Sequence, residues 1–479
     1  MAGLVVGACA VFGALAVLRH EAFLSDRYDL GNYVQAIWSA AHGHLLQATT
    51  GTGLEQSRLG SHFEPILFLL VPLWVAWSNP DVLLLVQAAC VVSGAVPVYL
   101  LAVKHLRSTD WGLFWAGMYL LYTPVEWVML DDFHAVAFAI PLLLLCVWYL
   151  DTDQLGKFAI AALLVVATKE EIGLTVACLG LWYAVAHRRT KEGLAIFAGA
   201  AAWSVIAVSI VVPLFAAGAS NPFVSRYDAL GNSPGAIAGT IFTNPVAVLG
   251  QFAHLRDAAY VLLLLAPFAG FLIRAPLLAA CAAPEFALNL LSSFQSQTSI
   301  AYHYVAGIVP FVVAASVIGA GRIERESPST ARRRAAVTAG VLAVITLALG
   351  PVTVLTPRIV RSFDNGTAAS ARAAVAVIPA DAPLSASQNL GAHLSTRERI
   401  YDFPMRRDAE WIAVGVDEDW IAPHREGKDA IICRLYRDRR LALRLARHGI
   451  LVFGPRSAAV SGGNAAANGP GCPAGPVSR

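Results

Sequence analysis

Charged residues are scarce in this sequence, and their scarcity excludes several classes of protein. Asp, Glu, Lys and Arg make up 14% of the 479 residues, whereas a soluble domain carries about 25%. The net charge of +3 is too small to indicate an acidic partner such as nucleic acid, and no phosphate-binding glycine motif precedes a predicted helix. A soluble enzyme, a nucleic-acid-binding protein and a disordered scaffold are therefore excluded as descriptions of the whole chain.

Lysine and patterned cysteine are also lacking. The only lysines are Lys104, Lys157, Lys169, Lys191 and Lys428, so a lysine in an unusual place carries information. The seven cysteines form no CxxC motif and no Cys/His cluster. They therefore indicate neither a disulfide framework nor a zinc site.

What the sequence has instead is apolar residues, which make up 57% of the chain and raise the mean hydropathy to +0.60. Much of the surface is therefore expected to face membrane lipids. A spanning helix needs about 20 apolar residues, and we predict an α-helical, multi-pass membrane protein with about eleven such helices. The predicted spans are 2–18, 81–103, 110–129, 134–150, 156–168, 171–187, 193–215, 256–273, 276–291, 303–321 and 335–355. The shorter run 65–77 is predicted to be an interfacial helix.

Basic residues favour one orientation of these spans. With the N-terminus inside, twelve Lys and Arg fall in inner loops and six in longer outer loops, as the positive-inside rule requires. Treating 65–77 as a span would move three basic clusters, at 104–107, 188–191 and 322–334, to the outside. We therefore predict a cell-membrane protein with a cytoplasmic N-terminus and an extracytoplasmic C-terminal part.

The composition changes after residue 356, where charges become frequent and short strand-like runs appear. The predicted elements there are a helix at 368–378, strands at 384–387, 411–416 and 450–453, and a basic amphipathic helix at 429–447. The Gly-, Ala- and Pro-rich end is typical of disorder. The sequence thus predicts three parts: a transmembrane domain at 1–356, a small extracytoplasmic α/β domain at 357–456 and a disordered tail at 457–479.

Ionisable residues near the predicted span ends gather on the outer side. Such residues mark a functional site by default, although a carboxylate at a helix start is also favoured by the helix dipole, which suffices for Asp81 and Asp110. The residues not accounted for in this way are Asp26, Asp29, His62, Glu64, Glu126, Asp131, Asp132, His134, Lys169, Glu170, Glu171 and His303.

The first outer loop is the richest of these segments. Asp26 and Asp29 lead into residues 32–41, which have apolar residues at helical spacing, and the chain returns through His62 and Glu64 into the run at 65–77. Amphipathic helices of this kind lie in the plane of the membrane surface. We therefore expect a cleft, open to lipid and to the outer solvent, with Asp29 at a helix N-terminus.

The order of several short motifs is similar to that of one family. The motifs are Tyr28-Asp29-Leu30-Gly31-x-Tyr33-x-Gln35-x-x-Trp38, His42-Gly43, His62-Phe63-x-Pro65, Asp132-Phe133-His134, Lys169-Glu170-Glu171 and Tyr302-His303-Tyr304. Over roughly residues 20–455 the chain resembles DUF2079, a family of bacterial and archaeal membrane proteins of unknown function that is grouped with the GT-C glycosyltransferases. The resemblance implies a GT-C-like fold with interfacial helices in the first outer loop.

The resemblance also implies a reaction. GT-C enzymes transfer a sugar from a polyprenyl-phosphate carrier to an acceptor on the outer face, usually with inversion, so a cell-envelope glycan or lipid is the expected acceptor. A carboxylate must take the acceptor proton, and Asp29 is the first candidate for this base, ahead of Asp26. Cations must stabilise the leaving phosphate, and Lys169 is the candidate, unless it only pairs with Glu170 or Glu171.

The remaining candidates are assigned to substrate or metal. His303 is expected to bind the phosphate or the sugar, or to be an ordinary interfacial histidine. Other expected substrate-binding residues are Asp26, His62, Glu64, Asp132, His134, Glu170 and Glu171. A divalent cation such as Mg²⁺, Mn²⁺ or Ca²⁺ has candidate ligands in Glu64, Asp131, Asp132 and His134.

Two other classes of function stay open at this point. A transporter or flippase of a lipid-linked precursor would need ionisable groups near the bilayer midplane and a two-fold repeat. Glu285 with Asn289, in the middle of a predicted span, favours that class, but no internal repeat is visible. A non-catalytic, glycan-binding membrane protein is the third possibility, and dispensability of Asp29 would favour it.

Overall fold

The computed structural model describes residues 1–216, 224–251, 255–418 and 427–458. The chain divides into two compact units, each assembled from segments that are distant in sequence. The first unit contains Met1–Ala16, Arg58–Leu70 and Val82–Thr356. The second contains Val17–Ser57, Val71–Asp81 and the chain from Pro357 onward. Most of the first loop therefore belongs to the same unit as the C-terminal segment.

Helices build the first unit. The α-helices up to residue 349, outside the first loop, are Ala2–Glu21, Asp81–Ser93, Ala95–Leu106, Thr109–Leu120, Thr123–Leu130, Ala139–Asp151, Leu155–Val166, Gly173–Ala186, Thr190–Ile206, Val212–Phe215, Pro234–Thr243, Pro245–Gln251, Leu255–Leu265, Ala269–Leu272, Pro276–Ala279, Ala283–Leu290, Val309–Glu326 and Pro328–Leu349. Several of these are joined by 3-10 or π turns into longer helical segments.

Five helical segments among the described residues are long and apolar enough to cross a membrane. They are Ala2–Glu21, Asp81–Leu106, Thr190–Phe215, Leu255–Leu272 and Pro328–Asp364. Six further apolar helical segments have 10–17 residues. The chain is therefore a helical membrane protein, as its composition predicts, and the count of eleven spans stays a prediction.

Two of the predicted spans differ from the helices observed. The span at 110–129 is interrupted, because the helix Thr109–Leu120 ends and Thr123–Leu130 begins with Pro124 in its first turn. Proline has no N–H to continue the preceding helix. The span predicted at 303–321 begins as a helix only at Val309, again with a proline in the first turn. His303 consequently lies in a turn that precedes the helix.

The first loop forms the helix that its apolar spacing predicts. A π-helical turn, Arg27–Gly31, leads directly into the α-helix Asn32–Ala41. A hairpin follows, in which β1 (Gln47–Thr49) pairs antiparallel with β2 (Glu55–Ser57). The predicted interfacial helix at 65–77 is a 3-10 segment, Pro65–Leu70, followed by the α-helix Val71–Ala76.

A five-stranded sheet organises the second unit. Its strands are β3 (Leu384–Ala386), β4 (Ile400–Asp402), β5 (Trp411–Gly415), β6 (Leu441–Arg447) and β7 (Ile450–Pro455), in the order β4-β3-β5-β7-β6. The first three run parallel, and β7 runs antiparallel to both β5 and β6. Successive side chains of a strand point to opposite faces. Trp411 and Ala413 accordingly pack in one apolar cluster, and Ile412 and Val414 in another.

Helices cover the sheet of the second unit. Thr367–Val377 contributes to the cluster of Trp411, and Lys428–Arg437 contributes to the cluster of Ile412. The other helices of this part are Pro351–Asp364, which begins before the unit does, and Gln388–His393. The predicted small C-terminal α/β region is therefore confirmed as a helix-covered sheet.

One predicted element of that region is wrong. Residues 429–447 are not a single amphipathic helix but the helix Lys428–Arg437 followed by strand β6. Asp438 ends the helix, since its side chain accepts the backbone N–H of Arg440 at 3.0 Å and so favours a turn. Beyond that turn the apolar residues alternate, which is the period of a strand.

Residues 459–479, most of the predicted disordered tail, lie outside the described residues. Cys433 is disulfide-bonded, a pairing that the scattered cysteines did not indicate. Cys9, Cys90, Cys146, Cys178 and Cys281 are free thiols within apolar helices.

Candidate functional site

A cavity of about 400 Å³ lies in the first unit. Its wall combines apolar side chains with ionisable ones that come from five separate stretches of the sequence. The ionisable residues are His62, Lys169, Glu170, Glu171, Arg226, Glu285 and His303. All of these except Arg226 and Glu285 were candidate site residues in the sequence, so the fold brings five predicted residues to one place.

Lys169 supplies a fixed positive charge at this cavity. It lies in the short turn between helices Leu155–Val166 and Gly173–Ala186, and its Nζ is 2.5 Å from Oε1 of Glu171. Burial lowers the pKa of Lys169, but the carboxylates of Glu171 and Glu170 outweigh burial, and the pKa rises above its ordinary value. The ion pair that was the alternative role of Lys169 is therefore present, with Glu171 as the partner.

Glu170 fastens the returning first loop to this turn. One carboxylate oxygen is 2.7 Å from His62 Nδ1, and the other accepts the backbone N–H of Phe63 at 2.9 Å. Burial, together with the nearby charge of Lys169, lowers the pKa of His62 to about 3. His62 is therefore neutral at physiological pH and donates its Nδ1–H to Glu170. This arrangement fixes the position of the turn that carries Lys169.

Arg226 is a second cation of the cavity and was not among the site residues predicted from the sequence. It lies in the 3-10 turn Val224–Tyr227, with its guanidinium carbon 4.4 Å from the centre of the Phe294 ring. One of its NH groups donates to Gln297 and to the Tyr304 hydroxyl, both at 3.4 Å. The signal in the sequence was weak, because a single arginine in a predicted outer loop resembles any solvated charge.

Glu285 also belongs to the cavity. The sequence predicts Glu285 to lie in the middle of a span but assigns it no role. In the structure Glu285 is 5% exposed. Within the described part of the chain, its Oε1 is buried and has no hydrogen-bond partner. It packs so closely on Gly307 that a Cβ there would lie 2.3 Å from the Glu285 Cγ. Glu285 is therefore a buried carboxyl beside the cations of the cavity, and any side chain at position 307 would displace it.

Three residues form a second cluster at the edge of the cavity. Asp131 directly follows the helix Thr123–Leu130. His134 directly precedes the 3-10 turn Ala135–Phe138. Oδ2 of Asp131 accepts the backbone N–H of His303 at 3.0 Å. The imidazole rings of His134 and His303 stack, with centroids 3.6 Å apart. Asp131, His134 and His303 could together hold a metal ion.

Two other predicted ligands of a metal are placed differently. Glu64 forms an ion pair with Arg58, whose Nε is 2.8 Å from Oε2 of the carboxylate, and Glu64 is almost fully buried. Asp132 has a left-handed backbone, with φ of 43°, and its carbonyl oxygen accepts from Gln87. Among the described residues, neither Glu64 nor Asp132 is part of the three-residue cluster.

Asp26 and Asp29 lie in the second unit, whereas the residues that line the cavity belong to the first. Asp26 is the N-cap of the π-helical turn Arg27–Gly31, because its side chain accepts the N–H of Tyr28 at 2.8 Å. Asp29 is half-buried within that turn. π-Helical turns are rare and occur frequently at functional sites. The local structure therefore distinguishes the two carboxylates, one as a cap and one within the turn.

A buried arginine anchors this turn to the sheet of the second unit. Arg27 is 1% exposed, and one of its terminal nitrogens lies 3.0 Å from both carboxylate oxygens of Asp402 at the end of β4. Its other terminal nitrogen donates to the carbonyl oxygens of Thr49 and Ile400, each at 2.8 Å. The turn that carries Asp29 is thus held by the C-terminal sheet.

Comparisons with known proteins agree on the type of fold. Residues 19–432 match the family described as "Predicted membrane protein (DUF2079)". Among solved structures, ArnT from Cupriavidus metallidurans bound to undecaprenyl phosphate is similar, with a TM-score of 0.55, 11% identity, and coverage of 94% of this chain and 97% of that chain. ArnT in the apo state is similar with a TM-score of 0.50 and 13% identity over 94% and 98% of the two chains. No curated protein sequence matched. The ArnT-like fold is the GT-C-like fold that the sequence predicts.

Proposed function

Since the chain belongs to the DUF2079 family of predicted membrane proteins and has the fold of ArnT, we propose that it is a membrane glycosyltransferase. In this proposal the donor is a sugar linked to polyprenyl phosphate, and the acceptor is an extracytoplasmic cell-envelope glycan or lipid. The structural relative is bound to undecaprenyl phosphate, which makes a polyprenyl phosphate the first ligand to test. At 11% identity this structural similarity supports only the fold. Support for the ligand has to come from the residues of the site.

The observation that carries the proposal is the composition of the cavity. Lys169 and Arg226 provide two cations, and charge-assisted hydrogen bonds from such groups suit a phosphate. Apolar side chains line most of the remaining wall and suit a prenyl chain; they include Leu174, Val208, Ile237 and Ile241. The cavity thus places two cations beside a large apolar wall, which fits an amphiphile with an anionic head; the carboxyls of Glu170, Glu171 and Glu285 also line it.

The proposed reaction is an inverting displacement at the anomeric carbon. The acceptor oxygen forms the new bond to that carbon as the bond from carbon to the phosphate oxygen breaks, and the carrier phosphate leaves with the electron pair. The sequence motif that contains Asp29, and not the cavity, is the ground for proposing Asp29 as the general base that takes the proton of the acceptor hydroxyl. Lys169 and Arg226 stabilise the charge that develops on the phosphate. Glu170 and His62 keep the Lys169 turn in place.

Removal of the Lys169 charge is the direct test of the phosphate site. Lys169→Ala should weaken binding of undecaprenyl phosphate by about 10- to 100-fold, because a hydrogen bond to a charged group contributes about 1.5–3 kcal/mol. Lys169→Arg keeps the charge but changes its geometry, so a smaller loss is expected. The measurement is the Kd of the purified variants in nanodiscs.

A matched control separates this effect from a general loss of charge. Lys157 is an exposed lysine of the preceding helix, and Lys157→Ala should bind the lipid as the unsubstituted chain does. If Lys169→Ala binds with unchanged Kd and only melts at a lower temperature, then Lys169 serves the ion pair with Glu171 and not the donor.

The proposed orientation puts the second unit outside the cell, with the N-terminus in the cytoplasm. Single cysteines at two exposed positions test it: Glu410→Cys in the second unit, and Lys191→Cys at the start of helix Thr190–Ile206. A membrane-impermeant thiol reagent should label position 410 in intact cells and position 191 only after permeabilisation. The unsubstituted chain serves as the control for labelling of the native cysteines. Labelling of position 191 in intact cells would contradict the proposed orientation and indicate the opposite one.

Transport of a lipid-linked precursor is the second candidate function, and Glu285 favours it. Ionisable residues buried within the helices of membrane proteins frequently mark ion or substrate pathways. The position of Glu285 at a cavity with two cations fits substrate binding in either class. Turnover of a donor by the purified protein distinguishes the two classes, because a glycosyltransferase consumes the donor and a transporter does not.

A further inference from the structure

The cluster of Asp131, His134 and His303 contains three side chains that can act as metal ligands. Each residue offers one ligand atom, and these atoms lie within 4.8 Å of one another. A tetrahedral Zn²⁺ ion with bonds of about 2.0–2.1 Å keeps its ligand atoms roughly 3.3 Å apart. Small rotations of the side chains would therefore close the three atoms around one ion.

Hydrogen bonds already orient one of the two imidazoles. Nδ1 of His134 is 2.9 Å from the carbonyl oxygen of Asp131, and since a carbonyl only accepts, this contact assigns the proton to Nδ1. The lone pair of the ring is then on Nε2. A ring N–H held by a backbone carbonyl is the common way in which a ligating histidine is fixed.

The backbone that carries His134 is fixed as well. Gln87 donates its side-chain amide to the carbonyl oxygens of Val128, at 2.9 Å, and Asp132, at 2.5 Å. The carbonyl of the same amide accepts the N–H of His134 at 2.7 Å. One buried glutamine thus holds the connection between Asp131 and His134, so that two of the three residues are positioned in advance.

The third residue, His303, has a buried ring nitrogen whose hydrogen-bonding capacity is not used by the described residues. His303 Nδ1 is buried, and within the described ranges it has no hydrogen-bond partner, although Oδ2 of Asp131 is 3.4 Å away. A buried polar atom without a partner costs about 1–3 kcal/mol and calls for an explanation such as an unseen ion. A metal that accepts the lone pair of this nitrogen would remove the cost.

We infer that Asp131, His134 and His303 bind one divalent transition-metal ion, with Zn²⁺ as the preferred ion. Two imidazoles and one carboxylate are a ligand set found in zinc enzymes, whereas Mg²⁺ and Ca²⁺ take oxygen ligands. The inference differs from the sequence prediction of a site for Mg²⁺, Mn²⁺ or Ca²⁺ that includes Glu64 and Asp132. His303 also lines the cavity, so the ion would border the proposed donor site, but metal binding can be tested without any assumption about sugar transfer.

The test is the metal content of the purified full-length chain, with its affinity tag removed. The protein is stripped with a chelator, incubated with Zn²⁺ or with Mg²⁺, desalted and analysed by mass spectrometry of the elements. We expect about one Zn²⁺ per chain and no retained Mg²⁺. His303→Ala and His134→Ala should each lose the bound Zn²⁺, whereas Glu64→Gln, which removes a ligand that only the sequence predicted, should keep it.

A second readout covers the case in which a histidine variant fails to fold. Co²⁺ added to the stripped, unsubstituted chain should give the visible absorption of a low-symmetry site, and Zn²⁺ should displace it in a 1:1 titration. Zn²⁺ should also raise the melting temperature of the unsubstituted chain and of Glu64→Gln. The inference is overturned if the unsubstituted chain retains no Zn²⁺, or if folded His303→Ala retains as much as the unsubstituted chain does.

Discussion

Asp29→Asn is expected to lower the rate of sugar transfer by about 10²–10⁴-fold, because that is the usual contribution of a general base. Asparagine has nearly the shape of aspartate and keeps much of its hydrogen bonding, but it cannot accept the acceptor proton. Folding and binding of undecaprenyl phosphate should therefore survive the substitution. The measurement is transfer from a polyprenyl-phosphate sugar by the purified variant in nanodiscs.

The neighbouring carboxylate provides the control for Asp29. Asp26 caps the π-helical turn through the N–H of Tyr28, and asparagine is about as good an N-cap as aspartate. Asp26→Asn should therefore keep most of the activity and nearly all of the stability. Equal losses of transfer rate in the two variants would mean that the rate depends on negative charge near the turn. They would contradict a specific role of Asp29 as the base. Full activity in Asp29→Asn would remove Asp29 from the mechanism.

Arg27→Met is expected to reduce the free energy of unfolding by about 3–5 kcal/mol, the usual effect of removing one partner of a buried ion pair. The substitution leaves the Asp402 carboxylate, which is 18% exposed, without its cation. It also removes the donor to the carbonyl oxygens of Thr49 and Ile400. Methionine fills similar space, so the loss measures charge and hydrogen bonding more than packing.

An exposed pair in the same unit serves as the control for Arg27. Arg399 is 43% exposed and pairs with Asp408, which is 48% exposed, and exposed pairs contribute about 0–1 kcal/mol. Arg399→Met should therefore leave stability nearly unchanged. The measurement is equilibrium unfolding of the purified chain by SDS in mixed micelles. A loss below about 1 kcal/mol for Arg27→Met would contradict an anchoring role for that residue.

Local patterns explain what the sequence predicted correctly. The helix Asn32–Ala41 and the strands near Leu384, Trp411 and Ile450 follow from spacing within a few residues. The helix at 429–447 was wrong because the turn at Asp438 depends on one side-chain contact, and the alternating residues beyond it were assigned to the helix. Local pattern therefore predicted these elements but missed the breaks between others, at the turn of Asp438 and at the helix starts that contain Pro124 and Pro310.

Which residues line the site could not be predicted fully, because it depends on contacts between residues that are distant in the sequence. The motif Lys169-Glu170-Glu171 was recognisable, but the partners of its charges were not, since Arg226 and Glu285 reach the cavity from elsewhere in the chain. Glu64 was predicted to bind substrate or metal, and the arginine six residues earlier pairs with it. His303 was assigned to a span, whereas it lies in the turn before that helix. Charge alone does not indicate which partner a side chain will find.

The central claim is that this chain transfers sugars from a lipid phosphate, and the most direct test is turnover by the purified, unsubstituted chain. The measurement uses nanodiscs, a panel of polyprenyl-phosphate sugars with a labelled sugar, and envelope glycans and lipids as acceptors. The proposal predicts that label moves to an acceptor for at least one donor, and that Asp29→Asn abolishes most of this transfer. If no donor turns over, while proteoliposomes containing the chain move the intact lipid-linked sugar across the bilayer, the claim is contradicted and the chain is a transporter.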